Sequence, residues 1–265
     1  MTGMGRRLLV TGASGFLGAH VARLATDRGW LVTGTSFSRP GLRLDLADGE
    51  AVRALLRKEH PDAVIHTAYV KDVPQMYDVI VRGSQVLASE SSRLGARMVH
   101  VSSDVVFSGR AGRPYTEADP LDPINAYGEA KAFAEQRVLA ADPEAAVVRT
   151  SLLLGGRGSP GPHERQALEP DKEFWSDAVR CPIHVDDLAA ALLEIVDSNH
   201  VGPLHVAGPE PLSRAALAEL VRGAQVCARP APSGVPLDAR LDSSRARARL
   251  RTRIRGAREV LTGSP

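Results

Sequence analysis

The sequence predicts an α/β fold in which a parallel sheet is covered by helices on both faces. In the first half of the chain, short runs rich in β-branched residues alternate with amphipathic stretches, which is the rhythm of βαβ units. Most of these runs are continuously apolar, as expected for strands buried on both faces of a parallel sheet. The candidate strands are residues 7–10, 31–35, 42–44, 63–66, 97–102 and 146–152.

The second half of the chain departs from this rhythm after residue 154. Residues 155–182 are rich in Gly, Pro and charge, and they predict loops on the substrate side. A helix from residue 185, a strand at 204–207 and a helix at 213–222 follow. We therefore expect one domain over residues 1–265, with a core of residues 1–154 and 183–207. A small C-terminal substrate lobe, with no evident core of its own, would comprise residues 155–182 and 208–265.

Composition excludes several classes of function. The 265 residues carry 33 basic and 31 acidic side chains, so no global charge predicts nucleic-acid or membrane binding. Cys181 and Cys227 stand far apart without a CxxC pattern, which argues against a disulfide framework or a zinc site. The sequence shows no signal peptide and no spanning apolar segment, so we expect a cytoplasmic protein.

A glycine-rich junction joins the first strand to the first helix. In VTGASGFLGAH, Gly12, Gly15 and Gly18 permit a tight turn and a close approach of the backbone to a pyrophosphate. The helix N-terminus adds unpaired N–H donors that attract an anion. The alternative is a glycine-rich turn without a ligand, but the flanking strand and helix favour the binding site. The junction predicts a Rossmann-like, doubly wound parallel sheet that binds a dinucleotide.

The turn after the second strand indicates which dinucleotide fits. NAD sites usually place an acidic side chain there, whereas residues 29–43 contain no Asp or Glu. Ser36, Ser38 and Arg39 offer hydroxyls and a guanidinium that could hold a 2′-phosphate. Arg39 could equally be an ordinary exposed arginine, so the missing acid carries more weight. NADPH is the favoured cofactor, and NADH stays an alternative.

YGEAK contains a tyrosine and a lysine at helical spacing. Tyr127 and Lys131 are four residues apart, so their side chains project from one face of a helix. A phenol has an ordinary pKa of about 10, and a nearby ammonium favours its ionised form. Only four of the 33 basic residues are lysines, which makes a chance pairing improbable. The pair predicts acid-base chemistry, although an isolated Tyr-x-x-x-Lys is more often an ordinary surface helix.

Two serines end the strand that precedes this helix. Ser103 is the candidate for a hydroxyl beside the reacting carbonyl at the carboxyl edge of the sheet, and Ser102 is the fallback. Paired serines after a strand are also common in plain turns. This assignment therefore depends on the other motifs.

Taken together, these motifs resemble a known family. TGASGFLG is similar to the cofactor loop of extended short-chain dehydrogenases/reductases. VHVSSDVVFSG, PYTEADPLDPINAYGEAKAFAEQRV, VVRTSLLLGG and HVDDLA resemble the nucleotide-sugar branch that includes dTDP-4-dehydrorhamnose reductase, over most of the chain. The resemblance implies a cofactor site formed by Gly12, Ser14, Gly15, Phe16, Leu17, Gly18, Ser36, Arg39, Asp45, Leu46, Thr67, Ala68, Tyr127 and Lys131. Asp45 would lie beside the adenine, although it could equally cap the next helix.

The resemblance also implies a reaction. NADPH would deliver hydride to a sugar C4 ketone while Tyr127 donates the proton, Ser103 polarises the carbonyl, and Lys131 holds the ribose and tunes Tyr127. The expected partner is a nucleotide sugar, with no nucleic acid and no membrane, and a homodimer is compatible with the sequence. Two alternatives stay open: an epimerase or dehydratase with tightly bound NAD, and a noncatalytic NADP-binding regulatory subunit.

Two further patterns have ordinary explanations. Arginines are concentrated in residues 244–258 without interleaved aromatic residues, which favours a solvated face over nucleic-acid binding. His184, Asp186 and Asp187 in HVDDLA could suggest a metal site, but adjacent residues on a helix point apart. We expect helix capping there, and no metal.

Overall fold

The strands and helices of the computed structural model follow the predicted rhythm. The structure describes residues 5–38, 41–70, 74–156 and 158–263. The strands are β1 Arg7–Thr11, β2 Leu31–Ser36, β3 Leu42–Arg43, β4 Ala63–His66, β5 Arg97–Ser103, β6 Ala146–Thr150, β7 Leu153–Leu154, β8 Phe174–Trp175, β9 Val179–Arg180, β10 Ile183–His184, β11 Gly202–His205, β12 Leu212–Ser213 and β13 Ala228–Arg229. The α-helices are α1 Phe16–Asp27, α2 Gly49–Glu59, α3 Gly83–Leu94, α4 Ala126–Ala141, α5 Pro162–Ala167, α6 Val185–Val196, α7 Arg214–Arg222, α8 Ser244–Arg249 and α9 Ala257–Thr262. A π-helix at Asp78–Arg82 precedes α3, and a 3-10 helix covers Asp104–Val106.

Seven strands form the central sheet in the order β11-β6-β5-β4-β1-β2-β3. β1 runs parallel to β2 and β4, β2 to β3, and β4 to β5. Because β1 lies inside the sheet and the chain passes from it to both sides, the carboxyl ends of β1, β2 and β4 share one edge. The predicted α/β class is confirmed. The largest shift is at the predicted strand 204–207, which is Gly202–His205.

Local sequence explains where the helices near this edge begin. The carboxylate of Asp48 accepts hydrogen bonds from the backbone N–H groups of Glu50 and Ala51, both at 3.0 Å, and so caps α2. Position 83, the first of α3, requires glycine because its backbone lies against Leu46. A Cβ at Gly83 would be 2.7 Å from the Leu46 carbonyl oxygen.

The chain divides into two compact units. The first comprises Met1–Ser102, Ala130–Val148 and Ala189–Pro203, and the second comprises Ser103–Glu129, Arg149–Leu188 and Leu204–Pro265. The second unit contains an apolar cluster of its own, which differs from the expectation of a lobe without a core. Its buried members are Leu154, Leu212, Leu217, Ala257 and Leu261.

Residues 155–182 are more ordered than the loops that the sequence predicts, because they contain α5 as well as β8 and β9. Pro162 is the first residue of α5, where its missing N–H costs nothing. The buried Glu164 carboxylate accepts hydrogen bonds from the backbone N–H groups of Gly155, Gly156 and Gly161 at 2.7–3.0 Å. One carboxylate therefore fixes the glycine-rich turn against the helix that follows it.

Candidate active site

A cavity of about 470 Å³ lies in the first unit at the carboxyl ends of β1, β2 and β4. This is the edge at which doubly wound sheets bind their ligands. Its lining comprises Gly12, Ser14, Gly15, Thr35, Ser36, Phe37, Ser38, Leu44, Asp45, Leu46, Ala47, Thr67, Ala68, Tyr69, Val70, Gln75 and Val79. The predicted cofactor residues among these are Gly12, Ser14, Gly15, Ser36, Asp45, Leu46, Thr67 and Ala68. Phe16, Leu17 and Gly18 are absent from the lining and form the first turn of α1.

The glycine loop has the geometry that the junction predicts. Gly12 has a φ of 71° and accepts a hydrogen bond from the Gly15 N–H at 2.8 Å, which closes a tight turn. A Cβ at Gly18 would lie 2.2 Å from the Gly12 carbonyl oxygen, so α1 can approach this turn only with glycine there. A Cβ at Gly12 would lie 2.8 Å from the Ala68 Cα. A side chain at either glycine would therefore displace the glycine loop that lines the cavity.

The end of β2 carries hydroxyls rather than a carboxylate. Ser14 Oγ donates to Ser36 Oγ at 2.8 Å, which joins the glycine loop to β2. Of the lining residues that the structure describes, Asp45 alone carries a carboxylate, and it accepts a hydrogen bond from the Ala47 N–H at 2.9 Å. The alternative of Asp45 as a helix cap is wrong, because Asp48 caps α2. Arg39 lies outside the described residues.

Sequence reasoning missed two aromatic residues of the lining. Phe37 directly follows β2 and Tyr69 comes three residues after the end of β4, and each is more than half exposed. The Arg43 guanidinium lies 5.3 Å from the centre of the Phe37 ring, close enough for a cation-π contact. An aromatic residue in the turn that follows a strand at the ligand-binding edge is the signal that could have identified them.

A series of buried hydrogen bonds lies next to the cavity lining. Thr11 Oγ1 and His66 Nδ1 are 2.6 Å apart, and His66 Nε2 is 2.8 Å from Ser84 Oγ. Ser84 donates its hydroxyl proton to the Ile80 carbonyl at 2.5 Å, so it must accept from the Nε2–H of His66. His66 Nδ1 then accepts from Thr11. These hydrogen bonds link the end of β1 through His66 and Ser84 to the π-helix. Thr11 and His66 each directly precede a residue of the cavity lining.

His66 and its neighbour His100 are held in the neutral form. Burial, and then the positive charge of Lys131, lower the pKa of His66 from 6.5 to about 3. The same causes, followed by His66 itself, lower the pKa of His100 well below its usual value. The two rings are 5.1 Å apart on the paired strands β4 and β5. Burial and the charge of Lys131 together keep both rings neutral.

The predicted catalytic pair lies on α4, and the predicted helix is confirmed. Asn125 caps it, because its side-chain oxygen accepts from the Gly128 N–H at 2.8 Å. Lys131 is 3% exposed, and its Nζ donates to the Val101 carbonyl at 2.6 Å within the first unit. Tyr127 belongs to the second unit. An asparagine immediately before a helical segment, as at Asn125, is a sequence signal for this cap.

Gly128 brings the tyrosine segment against the serine segment within the second unit. A Cβ at Gly128 would lie 2.3 Å from the Val105 carbonyl oxygen, so only glycine allows this approach. Val105 is two residues from Ser103, and Gly128 directly follows Tyr127. The backbones that carry the two predicted catalytic groups are therefore in contact.

Ser103 is the last residue of β5 and is partly exposed. Its Oγ donates to Asp104 Oδ1 at 3.2 Å. The other Asp104 oxygen accepts from Ser151 Oγ at 2.6 Å and pairs with the Arg180 guanidinium, with Nε at 3.6 Å. Ser102 is 3% exposed, and its Oγ has no hydrogen-bond partner among the described residues. Partial exposure and an orienting carboxylate favour Ser103 over Ser102.

The HVDDLA segment contains an ion-pair cluster at the start of α6. The expected helix capping stays a prediction. The Arg255 guanidinium donates to Asp187 at 2.6 Å and contacts His184 Nδ1 at 2.7 Å. Although burial raises the pKa of Asp187, hydrogen bonds from His184 and Arg255, followed by the Arg255 charge, outweigh it and lower this pKa to about 2. Within the described ranges, no group of three or more His, Cys, Asp or Glu side chains could hold a metal ion. The helices described there are also too short or too polar to cross a membrane.

Comparison with known proteins decides the family. The RmlD substrate binding domain matches residues 6–261. The chain belongs to this family. It is 36% identical to the dTDP-4-dehydrorhamnose reductase of Mycobacterium tuberculosis, over 81% of this chain and 74% of the relative. It is 32% identical to methionine adenosyltransferase 2 subunit beta of Xenopus tropicalis, over 79% of this chain and 69% of the relative.

The fold agrees with solved structures of the same group. A dTDP-4-dehydrorhamnose reductase from Bacillus anthracis, crystallised in complex with NADP, superposes with a TM-score of 0.86. The superposition covers 98% of this chain and 97% of that one at 22% identity, so it supports the fold alone. The predicted fold class, and an oxidoreductase of the extended short-chain dehydrogenase/reductase type, are confirmed at the level of the family.

Proposed function

We propose that this protein is an NADPH-dependent reductase of the 4-keto group of a nucleotide-activated deoxysugar. The observation that carries the proposal is the glycine-floored cavity at the carboxyl edge of the sheet, together with the Tyr127 and Lys131 pair on α4. The relative from Mycobacterium tuberculosis, which is named for this reaction, supports the substrate class.

The cavity fits a dinucleotide phosphate. Glycine at positions 12 and 18 lets the loop pack against Ala68 and lets α1 pack against the loop, so the N-terminus of α1 is placed to receive a pyrophosphate. Ser36 and Ser38 line the end of β2, where NAD sites present an acidic side chain. Asp45 is the one carboxylate among the described residues of the lining, and it accepts a hydrogen bond from the Ala47 N–H. The hydroxyls at the end of β2 favour the 2′-phosphate of NADPH over NADH.

Each of the candidate catalytic residues has a separate role in the proposed reaction. Bound NADPH would supply the hydride. We assign Tyr127 to donate the proton to the new alkoxide and Ser103 to polarise the carbonyl with its hydroxyl. Asp104 orients Ser103, since its carboxylate accepts the Ser103 proton and is itself fixed by Ser151. Lys131 provides a fixed positive charge one helical turn from Tyr127, which favours loss of the phenol proton.

The test follows NADPH absorbance with a panel of 4-keto nucleotide sugars. Tyr127→Phe should lower kcat by about 100-fold or more, which is the usual contribution of a positioned acid. Tyr77→Phe is the matched control, because Tyr77 is half exposed and its ring contacts Phe133 outside the cavity lining. The proposal fails if the wild type binds NADPH tightly and reduces none of the ketones, or if Tyr127→Phe retains full activity.

The same measurements separate the alternatives. An epimerase or dehydratase would copurify with NAD and consume no NADPH. The relative that is named a subunit of methionine adenosyltransferase favours a second candidate, an NADP-binding regulatory subunit. That candidate predicts cofactor binding without turnover. The expected cytoplasmic location and a homodimer stay predictions.

A further inference from the structure

An arginine next to the cofactor cavity has no partner of opposite charge among the described residues. Arg43 is the last residue of β3, and its side chain is exposed. Within the described ranges it makes no hydrogen bond or ion pair, and its guanidinium lies 5.3 Å from the centre of the Phe37 ring. Phe37 is a lining residue of the cavity. The positive charge of Arg43 is therefore held beside the cavity, with its hydrogen-bond donors open to a ligand.

The backbone of β3 fixes the place of Arg43 relative to the cavity. β3 runs parallel to β2, and Arg43 is paired in register with Ser36. The Leu44 N–H donates to the Ser36 carbonyl at 2.9 Å, which ties the residue after Arg43 to the same point. Ser36 and Leu44 both line the cavity. Arg43 therefore lies beside the end of β2, where Rossmann-like folds recognise the 2′ position of the adenosine ribose.

The polar groups of the lining at this point are hydroxyls. Ser14 Oγ donates to Ser36 Oγ at 2.8 Å, and Ser38 is a further lining residue beyond β2. A ribose 2′-hydroxyl is usually met by an acidic side chain, whereas a 2′-phosphate requires a cation and hydrogen-bond donors. Serine hydroxyls can donate to phosphate oxygens, and Arg43 supplies the cation. Charge and hydrogen-bond type thus both favour a phosphate beside Arg43.

A purely structural role explains less of this arrangement. Exposed arginines on α1 and α2 pair with carboxylates about one helical turn away, as Arg23 does with Asp27 and Arg53 with Glu50. Arg43 instead contacts an aromatic ring that is itself more than half exposed. Such an exposed contact contributes little to the stability of the fold, but it restricts where the guanidinium can go. The ring therefore holds the charge of Arg43 close to the cavity.

We propose that Arg43 binds the 2′-phosphate of NADPH and that Phe37 positions its guanidinium through the cation-π contact. The role of Arg43 rests on the proposed function, because it selects the cofactor of that reaction. A planar guanidinium donates to two phosphate oxygens at once. NADH carries a neutral hydroxyl at the same place and gains no ion pair with Arg43. Arg43 therefore determines the preference for NADPH over NADH.

The test measures calorimetric binding of NADPH and of NADH to the whole protein, without a sugar substrate. Arg43→Gln should weaken NADPH binding by about tenfold, as expected for the loss of a charged hydrogen-bond donor, and should leave NADH binding unchanged. Added salt should weaken NADPH binding to the wild type more than to Arg43→Gln. Arg28→Gln is the control, because Arg28 is exposed at the end of α1, outside the cavity lining, and its loss changes the net charge equally.

Further variants test the ring and the shape of the cation. Phe37→Leu removes the aromatic face and should lower the ratio of NADPH affinity to NADH affinity severalfold, whereas Phe37→Tyr should keep it. A purely structural role of Phe37 would leave this ratio unchanged, because both dinucleotides contain the same adenine. Arg43→Lys keeps the charge and loses the planar fork, so its ratio should lie between those of the wild type and Arg43→Gln.

The possible outcomes separate the role of Arg43 from the proposed function. An unchanged ratio of NADPH affinity to NADH affinity in Arg43→Gln would overturn this role even if keto sugars are reduced. A loss of NADPH affinity in Arg39→Gln but not in Arg43→Gln would also overturn it, because the phosphate would then be bound by the other arginine. A lowered ratio in Arg43→Gln, without any turnover by the wild type, would overturn the reductase function and support the phosphate site.

Discussion

Acid should destabilise this protein through His66, whose neutral ring holds β1 to the π-helix. In the folded state the pKa of His66 is lowered to about 3, mainly because the ring is buried, and in the unfolded chain it returns to about 6.5. Between these values the unfolded chain binds more protons, so stability falls as the pH is lowered through this window. At higher pH the His66 contribution is complete and constant.

The magnitude follows from the two pKa values. Lowering the pH from about 7 to about 4.5 should cost about 2.5 kcal/mol through His66 alone. His100 adds a loss of the same sign, because its pKa is also lowered. His66→Asn removes one of these titrations. The variant should be less stable than wild type near neutral pH, because Thr11 loses its acceptor, yet its stability should fall by about 2.5 kcal/mol less on acidification.

The assay is urea unfolding at a series of pH values, with the free energy of unfolding extrapolated to water. His60→Asn is the matched control. His60 is exposed at the end of α2 in the left-handed region, φ 42°, which asparagine tolerates. It should keep the wild-type pH dependence. Parallel pH dependences for wild type and His66→Asn would refute the argument that His66 is buried in its neutral form.

Three further variants test single contacts. Gly18→Ala places a Cβ 2.2 Å from a backbone oxygen, so urea unfolding should show a loss of about 1–3 kcal/mol and NADPH titration a marked loss of affinity. Gly49→Ala, whose Cβ meets nothing closer than 3.4 Å, should show neither. Asp104→Asn leaves the Arg180 charge buried without its partner and should cost about 3 kcal/mol in urea unfolding and lower kcat. Glu164→Gln should cost about 1–3 kcal/mol in thermal unfolding, since the neutral amide accepts less strongly from three backbone N–H groups.

The elements that sequence predicted well are those whose signals are local. The junction at Gly12 and Gly18 combines a strand, a turn and a helix within twelve residues, and each part constrains the next. The pairing of Tyr127 with Lys131 was likewise predictable, because residues four apart lie one turn apart on a helix, and both belong to α4. Even α5 had a local signal that we did not weigh, namely proline at its first position and Glu164 two residues later.

The features that sequence did not predict depend on residues far apart in the chain. The ion pair of Asp187 could not be predicted, because its partner, Arg255, is 68 residues away. The Thr11 and His66 contact spans 55 residues, and each residue alone is an ordinary member of a buried strand. No spacing rule links such pairs, since their proximity is set by strand order and crossover connections. Sequence could therefore predict the cofactor loop, but not the contacts that hold it in place.

The excess of arginine over lysine acquires a physical explanation from these contacts. Arg180 donates to the backbone carbonyls of Val179, Pro236 and Leu237 while it pairs with Asp104. A planar guanidinium with five donors can satisfy several carbonyls and a carboxylate together, which a single ammonium does less well. The site of Lys131 has the opposite requirement, namely a compact positive charge. Lys131 is buried beside two neutral histidines and donates to the Val101 carbonyl, so a compact point charge fits where a broad fork would not. The same scarcity that marked Lys131 in the sequence thus agrees with the chemistry proposed for it.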